Sequence, residues 1–120
     1  MKKDVNIFIL HIFDNINEIE KFTKNFEIDD FIKDKKTAYA TVRALEIIGE
    51  AVKNIHQNFR KEHKEISWKN IAGTRDKLIH EYFGIDLKLC FKIVKKDIPD
   101  LKEKILKIIK ELKISRLDYL

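Results

Sequence analysis

The chain has 120 residues, of which 44% are hydrophobic and 38% are charged, so it is too apolar to be disordered and long enough for one domain with a core. Three glycines and one proline leave little material for the tight turns of an all-β fold, and a single cysteine excludes an internal disulfide. The formal net charge of +5 favours a polyanionic or acidic partner. We expect one domain over residues 1–120, and, without a signal-peptide pattern or a membrane-spanning apolar run, a soluble cytoplasmic protein.

Apolar residues at steps of three and four predict that most of the chain is helical. The first amphipathic helix runs from Asp4 to about Phe26. A short helical segment over residues 28–32 precedes a second long helix, which Thr37 caps and which runs to about Glu62. The inner faces of the two long helices carry Val5, Ile9, Ile12, Ile16, Ile19 and Phe22 in the first and Ala38, Thr41, Leu45, Ile48, Val52 and Ile55 in the second.

A third helix is predicted from Ser67, as its N-cap, to Phe83, with a bend near Gly73 and a stop at Gly84. Trp68 at its start is expected to be a core aromatic. This predicted helix contains the main candidate catalytic residues of the chain.

A fourth helix begins after Asp86, its predicted N-cap, and contains Cys90 as a small core residue. Pro99 should kink or split this helix, because proline lacks an N–H donor and crowds the preceding turn, and Asp97 could cap a restart. The last stretch carries an apolar face of Leu101, Ile105, Ile108, Ile109 and Leu112. The predicted fold class is therefore all-α: an up-and-down bundle of four to five helices with a kinked C-terminal helix.

Arg75, His80 and Tyr82 lie in the third predicted helix, separated by four residues and by one. They supply a fixed cation, a group that titrates near neutral pH and a phenol, which is enough to hold a phosphodiester and move a proton beside it. On a helix Arg75 and Tyr82 share a face, whereas Arg75 and His80 diverge by roughly 140°. Asp76, four residues before His80, could orient its imidazole. A site that uses both Arg75 and His80 is therefore easiest to complete at a cleft or against a second copy of the chain.

The same residues also fit a helix without a catalytic role. Asp76 and His80 could form a solvated pair, and Tyr82 could be a core aromatic. Spacing alone favours this interpretation, because a short motif needs a structural context before it indicates a function.

Arg43, Glu46 and Glu50 lie on one side of the second long helix, at spacings of three and four. Such spacings favour an internal ion-pair cluster that fixes helix packing. The functional alternative is that Glu46 or Glu50 positions Arg75 from behind. No Glu-x-x-His pair accompanies them, so no residue is assigned to a metal or a cofactor. Gly49 is expected to let two helices approach closely.

Two stretches of the chain resemble the characteristic blocks of one known family. Residues 67–86 read SWKNIAGTRDKLIHEYFGID, and residues 43–52 read RALEIIGEAV. Both resemble the HepT-like toxins of the HEPN superfamily, and the likeness covers nearly the whole chain with its helices in the expected order. The resemblance implies an all-helical HEPN-type fold and a homodimer in which two Arg-His motifs meet in one cleft.

The activity that the resemblance implies is a metal-independent endoribonuclease, in which the 2′-hydroxyl of RNA attacks the adjacent phosphorus. His80 would act as general base or acid, and Arg75 would hold the phosphate and stabilise its developing charge. Asp76 stands at the polar position that commonly follows the family's arginine. Because the reaction needs a 2′-hydroxyl, the expected substrate is RNA and not DNA.

The resemblance also implies a control point at Tyr82. HepT-like toxins carry a tyrosine two residues after the histidine, and an MntA-like nucleotidyltransferase antitoxin transfers AMP onto it, in a type VII-like toxin-antitoxin pair. The added bulk and negative charge would fill the cleft beside Arg75 and compete with the RNA phosphate. The expected partners are therefore RNA, a second copy of the chain and this antitoxin. The alternative is a catalytically silent helical module that binds a nucleotidyltransferase or a nucleotide.

Overall fold

The computed structural model describes residues 4–80 and 84–119, and of residues 80, 118 and 119 the backbone alone. The helices in this part of the chain are α1 Val5–Phe22, α2 Ile28–Lys33, α3 Lys35–Lys53, α4 Gln57–Glu62, α5 Trp68–Ala72, α6 Thr74–Leu78, α7 Leu87–Lys92 and α8 Ile98–Glu111. A two-stranded antiparallel hairpin, β1 Ile79–His80 and β2 Gly84–Ile85, lies between α6 and α7. A π-helical turn, Ile93–Asp97, joins α7 to α8, and a 3-10 helix, Arg116–Tyr119, follows α8. The all-α fold class is confirmed.

The core forms where α1 packs against α3 and α8. Most of the predicted inner-face residues are confirmed, since Ile9, Ile12, Ile16 and Ile19 of α1, Ala38, Thr41, Leu45, Ile48 and Val52 of α3, and Leu101, Ile105 and Ile108 of α8 are buried. Leu112 is an exception: it follows the end of α8 at Glu111 and is 43% exposed. None of the helices in residues 4–80 and 84–119 is both long and apolar enough to cross a membrane.

The second long helix, α3, begins and ends earlier than predicted. Asp34, and not Thr37, is its N-cap: the Asp34 carboxylate accepts hydrogen bonds from the Thr37 backbone N–H at 3.0 Å and from its hydroxyl at 2.7 Å. Because these bonds favour the charged carboxylate, they lower the pKa of Asp34. The helix ends at Lys53, where the Arg60 guanidinium donates to the Val52 carbonyl at 2.5 Å and satisfies an acceptor that the helix end leaves unpaired.

Trp68 and Cys90 lie in the core, as predicted. The Trp68 side chain is buried, and its indole N–H donates to the backbone carbonyl of His63 at 2.9 Å. Cys90 is fully buried on α7, and this burial raises the pKa of its thiol to about 12. A thiol with so high a pKa and no exposure is chemically inert in the folded protein.

The C-terminal helix continues through Pro99 instead of splitting there. A proline inside a helix collides with the carbonyl four residues before it, and the π turn over residues 93–97 widens the helix at that place. The prediction that Asp97 caps a restarted helix is wrong. Asp97 itself has helical backbone angles, φ −78° and ψ −37°, and its side chain makes no capping hydrogen bond.

Candidate active site

Arg75 lies on α6, a short helix that ends at Leu78. The prediction of a helix from Ser67 to Phe83, bent near Gly73, is wrong at Ile79 and His80, because Ile79 has extended backbone angles, φ −101° and ψ 114°, and both residues belong to β1. Phe83 lies outside the described residues. Ile79 pairs with Ile85 across the hairpin. These cross-strand contacts replace the helical hydrogen bonds that the apolar periodicity suggested.

The hairpin is closed by a backbone hydrogen bond and by one glycine. The Asp86 N–H donates to the Leu78 carbonyl at 2.8 Å, and Gly84 pairs with His80. Gly84 has φ +76°, in the left-handed region that favours glycine, and it begins β2. The prediction that Gly84 stops a helix is therefore wrong. The Asp86 side chain accepts from the Leu89 N–H at 3.0 Å, which confirms it as the N-cap of α7.

The helical angles expected between the three motif residues do not apply to this backbone. Because the chain turns into β1 directly after α6, the helical spacing that would bring Asp76 against His80 is absent. The inference from diverging helix faces to a second copy of the chain loses its basis for the same reason. Tyr82 lies outside the described residues.

Arg75 meets the exposed face of α3 at Glu46. The Arg75 Nε donates to the Glu46 Oε2 at 3.3 Å, across 29 positions of sequence. The Nη1 of Arg43 lies 3.9 Å from the same carboxylate oxygen, and it also lies 3.6 Å from the Oε1 of Glu50. The structure therefore brings Glu46, and not Glu50, to Arg75.

Asp76 completes this group, because its Oδ1 lies 3.7 Å from the Nη1 of Arg75. We call Arg43, Glu46, Glu50, Arg75 and Asp76 the arginine cluster. Its central carboxylate, Glu46, has a side chain only 21% exposed, whereas the side chains of Arg43 and Arg75 are 61% and 56% exposed. Exposed ion pairs contribute less than about 1 kcal/mol each, so this arrangement orients the two cations more than it stabilises the fold.

A contact between two helices sets the distance from α3 to α6. A Cβ added at Gly49 would lie 3.4 Å from the carbonyl oxygen of Ile71 and 3.5 Å from that of Ala72, at the end of α5. The two helices do meet at Gly49, but a Cβ there would make ordinary van der Waals contacts, so the expectation that the glycine allows an unusually close approach is not supported. Since α6 follows α5 after Gly73 alone, this contact holds Arg75 within reach of Glu46.

A groove of about 270 Å³ lies between α3, α5, α6 and the C-terminal helix. Its floor is apolar and includes Leu45 and Leu101, while Asn70, Thr74 and Lys77 stand at its polar side. Thr74 precedes Arg75 in sequence, but no member of the arginine cluster lines this groove. Among the described residues, no group of three or more His, Cys, Asp or Glu side chains is arranged to hold a metal ion.

A family model described as Ribonuclease HepT-like matches residues 12–108 of the chain. The chain belongs to the HepT-like ribonuclease family. The match extends from α1 into α8 and includes both blocks that resembled the family, together with every member of the arginine cluster.

Relatives of this HepT-like chain have similar lengths in most cases. A protein of Thermococcus cleftensis named "Probable ribonuclease HepT" is 49% identical over 108 residues, which are 90% of this chain and 98% of that protein. A "Putative RNase" of Caldanaerobacter subterraneus is 42% identical over 106 residues, 88% of this chain and 95% of its own.

One relative is much longer. A Methanocaldococcus jannaschii protein named "Gamma-glutamylcyclotransferase and putative RNase" is 51% identical over 112 residues, 93% of this chain. The HepT-like chain spans only 50% of the length of that protein. No solved structure matches the chain.

Proposed function

We propose that this HepT-like protein is an endoribonuclease that cleaves RNA by attack of a 2′-hydroxyl on the adjacent phosphorus. The observation that carries this proposal is the family match over residues 12–108, which contains a half-exposed Arg75 held at its Nε by Glu46. A guanidinium that is held at Nε keeps its orientation while its exposed end remains accessible to an anion. The names of the relatives point to the same activity.

In the proposed reaction Arg75 binds the phosphate and stabilises the negative charge that develops on it. The 2′-hydroxyl loses its proton to a general base and forms a bond to phosphorus, while the bond from phosphorus to the 5′-oxygen breaks and that oxygen takes up a proton. His80 is the group assigned to these proton transfers, because histidine is the residue type whose unperturbed pKa lies closest to neutral pH. The products are a cyclic phosphate and a free 5′-hydroxyl, and no metal ion takes part.

The other members of the arginine cluster support Arg75 in this proposal. Glu46 is a positioning residue, because it contacts the guanidinium and lies behind it. Asp76 lies against the outer edge of the same guanidinium, and Arg43 and Glu50 continue the ion pairs along α3. We place the active site of this single domain in the shared cleft of a cytoplasmic homodimer, where two motifs face each other.

The nuclease proposal is tested by comparing the wild-type protein with Arg75→Ala and His80→Ala on single-stranded RNA in EDTA. Each substitution is expected to lower cleavage by at least about 10², the size of a lost general acid or base or of a lost charge stabiliser. Arg116→Ala is the matched control, because it removes another exposed arginine that pairs with a carboxylate, Asp14.

Equal cleavage by all four proteins, or activity that EDTA abolishes and added metal restores, would overturn the proposed mechanism. The mass of the active species in solution belongs to the same experiment. Light scattering is expected to give twice the 14.3 kDa of one chain.

We also propose that the protein is the toxin of a toxin-antitoxin pair and that AMP transfer to Tyr82 silences it. AMP on Tyr82 would add a bulky base and a negatively charged phosphate to the motif, and this phosphate would compete with RNA for the cations of the site. Incubation with ATP and an MntA-like nucleotidyltransferase should add AMP to the wild type but not to Tyr82→Phe, as measured by intact mass, and the modified protein should lose cleavage. No added AMP, or the same AMP on Tyr82→Phe, would remove this switch.

A further inference from the structure

We propose that an exposed stripe of α3, formed by Lys36, Tyr39 and Arg43, binds the single-stranded RNA that extends from the cleaved phosphate. This inference rests on the proposed nuclease function and deepens it, because it identifies how the substrate strand leaves the site. We call these three residues the α3 stripe. They follow each other at steps of three and four, so they stand on one face of the helix, and all three are exposed.

The α3 stripe leads directly to the residue that is proposed to hold the scissile phosphate. Arg43 and Arg75 lie against one oxygen of Glu46, at 3.9 Å and 3.3 Å. The distance between the Arg43 Nη1 and the Arg75 Nε therefore cannot exceed the sum of these two distances. Cations this close can bind successive phosphates of one strand.

The use of arginine at position 43 supports a phosphate-binding role. Lysine predominates among the 25 basic residues of the chain, and only four of them are arginines: Arg43, Arg60, Arg75 and Arg116. Arg60 and Arg116 use their guanidiniums in hydrogen bonds within the chain, to backbone carbonyls at the end of α3 and to both carboxylate oxygens of Asp14, respectively.

Arg43 differs from these two arginines. Its contacts to Glu46 and Glu50, at 3.9 Å and 3.6 Å, are longer than the roughly 2.7–2.9 Å of a charge-assisted hydrogen bond. The guanidinium is thus oriented by the two carboxylates without being firmly bound by them. Arginine is the side chain that suits planar, two-point recognition of phosphate.

Tyr39 supplies the second element that single-stranded RNA needs. Tyr39 is 62% exposed, which is a high value for a tyrosine in a chain with a well-formed core. Proteins that bind single strands without sequence preference combine cations for the backbone with aromatic rings on which bases stack. Tyr39 lies about 6 Å along the helix from Arg43, so one base and a nearby phosphate can engage both.

Glu50 makes the proposal testable by a gain of binding. The Glu50 Oε1 lies 3.6 Å from the Arg43 Nη1, and both side chains are more than half exposed. A phosphate that binds Arg43 must compete with this carboxylate. Removing the charge of Glu50 should therefore release Arg43 for RNA and strengthen binding, whereas a purely structural ion pair would predict no such gain.

The experiment measures binding of a fluorescent oligouridine by anisotropy at several salt concentrations, with every variant made in the His80→Ala background so that RNA stays intact. Arg43→Gln is expected to weaken binding and to reduce the slope of log affinity against log salt by about 0.7, the value for one phosphate contact on a single strand. Tyr39→Leu should weaken binding about tenfold, and Tyr39→Phe should retain it, because the ring stacks in both. Glu50→Gln should tighten binding.

Two matched controls change charge elsewhere on exposed ion pairs. Arg116→Gln removes a positive charge that pairs with Asp14, and Glu18→Gln removes a negative charge that pairs with Lys21. If Arg43→Gln and Arg116→Gln weaken RNA binding equally, or if Glu50→Gln tightens it no more than Glu18→Gln, the proposed role of the α3 stripe is contradicted. RNA binding that ignores Tyr39, together with a loss of nucleotidyltransferase binding in Tyr39→Leu, would assign the stripe to a protein partner and also overturn it.

The failure of this inference differs from the failure of the nuclease proposal. If RNA binding depends on the α3 stripe but the wild-type protein does not cleave RNA, the nuclease proposal is contradicted and the RNA-binding proposal stands. If cleavage requires Arg75 and His80 but the stripe variants bind RNA with the same affinity as their controls, only the proposal for the α3 stripe is contradicted. Circular dichroism of each variant checks the fold, which substitutions at exposed positions of α3 should leave intact.

Discussion

Glu46 is the residue on which the geometry of the candidate site depends. One of its oxygens contacts both arginines of the cluster, and the Glu46 side chain is the least exposed of the five in that cluster. Two cations that share a carboxylate stay close together in spite of their repulsion, because the carboxylate lies between them. At the residue scale, therefore, Glu46 sets where Arg75 points and how near Arg43 comes to it.

Substitution of Glu46 by glutamine is expected to lower kcat for RNA cleavage about tenfold, since a misplaced phosphate-binding group raises the barrier of the chemical step. The amide keeps the shape of the side chain but removes the charge that holds the Arg75 guanidinium. KM and the melting temperature should change little, because both arginine partners of Glu46 are more than half exposed and such ion pairs contribute little to stability. Steady-state kinetics with thermal melting checks this, with Glu18→Gln as the control.

A clear drop in melting temperature that accompanies the drop in kcat would show that Glu46 supports the fold and not the site. An unchanged kcat with a raised KM would instead assign Glu46 to substrate binding alone. Either result contradicts the positioning role.

The sequence predicted the members of the cluster but not their pairing. Arg43, Glu46 and Glu50 lie within two turns of one helix, so their common face follows from helical spacing. Which of the two glutamates meets Arg75 depends on where α6 lies along α3, where the end of α5, just before α6, contacts α3 at Gly49. Spacing within a helix cannot report a contact between two helices.

At the scale of elements, the hairpin between α6 and α7 is the feature that most changes the site. It ends α6 at Leu78 and directs the backbone of His80 along β1, opposite Gly84. The periodicity of the sequence favoured a helix here, because apolar residues at positions 71, 78, 79 and 82 fit a helical repeat. The competing signal was Gly84, which fits the stop of a helix and the left-handed position of a hairpin equally well.

Gly84→Ala is expected to destabilise the protein by about 1–2 kcal/mol, because alanine disfavours the left-handed conformation that φ +76° requires. Leaving out its chain neighbours, no atom of the described residues lies within 4 Å of an added Cβ, so we assign the effect to the backbone. Gly84→Asn should cost less, since asparagine tolerates this region best among residues with a side chain. Urea unfolding of the three proteins measures the difference.

Because Gly84 pairs with His80, Gly84→Ala should also lower RNA cleavage under conditions where the protein remains folded, and Gly84→Asn should restore part of it. Stability equal to that of the wild type in Gly84→Ala would mean that the glycine is not held in this conformation in solution. Lost stability with full cleavage would separate the hairpin from the site.

At the scale of the whole molecule, the bundle brings one exposed face of α3 against the helix that carries Arg75, while the opposite face of α3 packs on α1. The same helix therefore carries core residues such as Ile48 and cluster residues such as Glu46, two positions apart. A deep core on one side gives the exposed side a rigid backbone. Side chains on that backbone can then be held at fixed distances without being buried.

The sequence by itself determined the all-α class, the inner faces of α1 and α3 and the family, because helical periodicity and a contiguous motif are local properties of the chain. Only the tertiary structure decided that α6 stops at Leu78, that the helix through Pro99 continues by a π turn, and that Glu46 holds Arg75. Each of these depends on atoms distant in sequence or on backbone geometry that several contacts set together: the Asp86 N–H on the Leu78 carbonyl closes the hairpin, and the Glu46 carboxylate reaches Arg75 across 29 positions. Local preference left these choices nearly balanced, and packing between helices decided them.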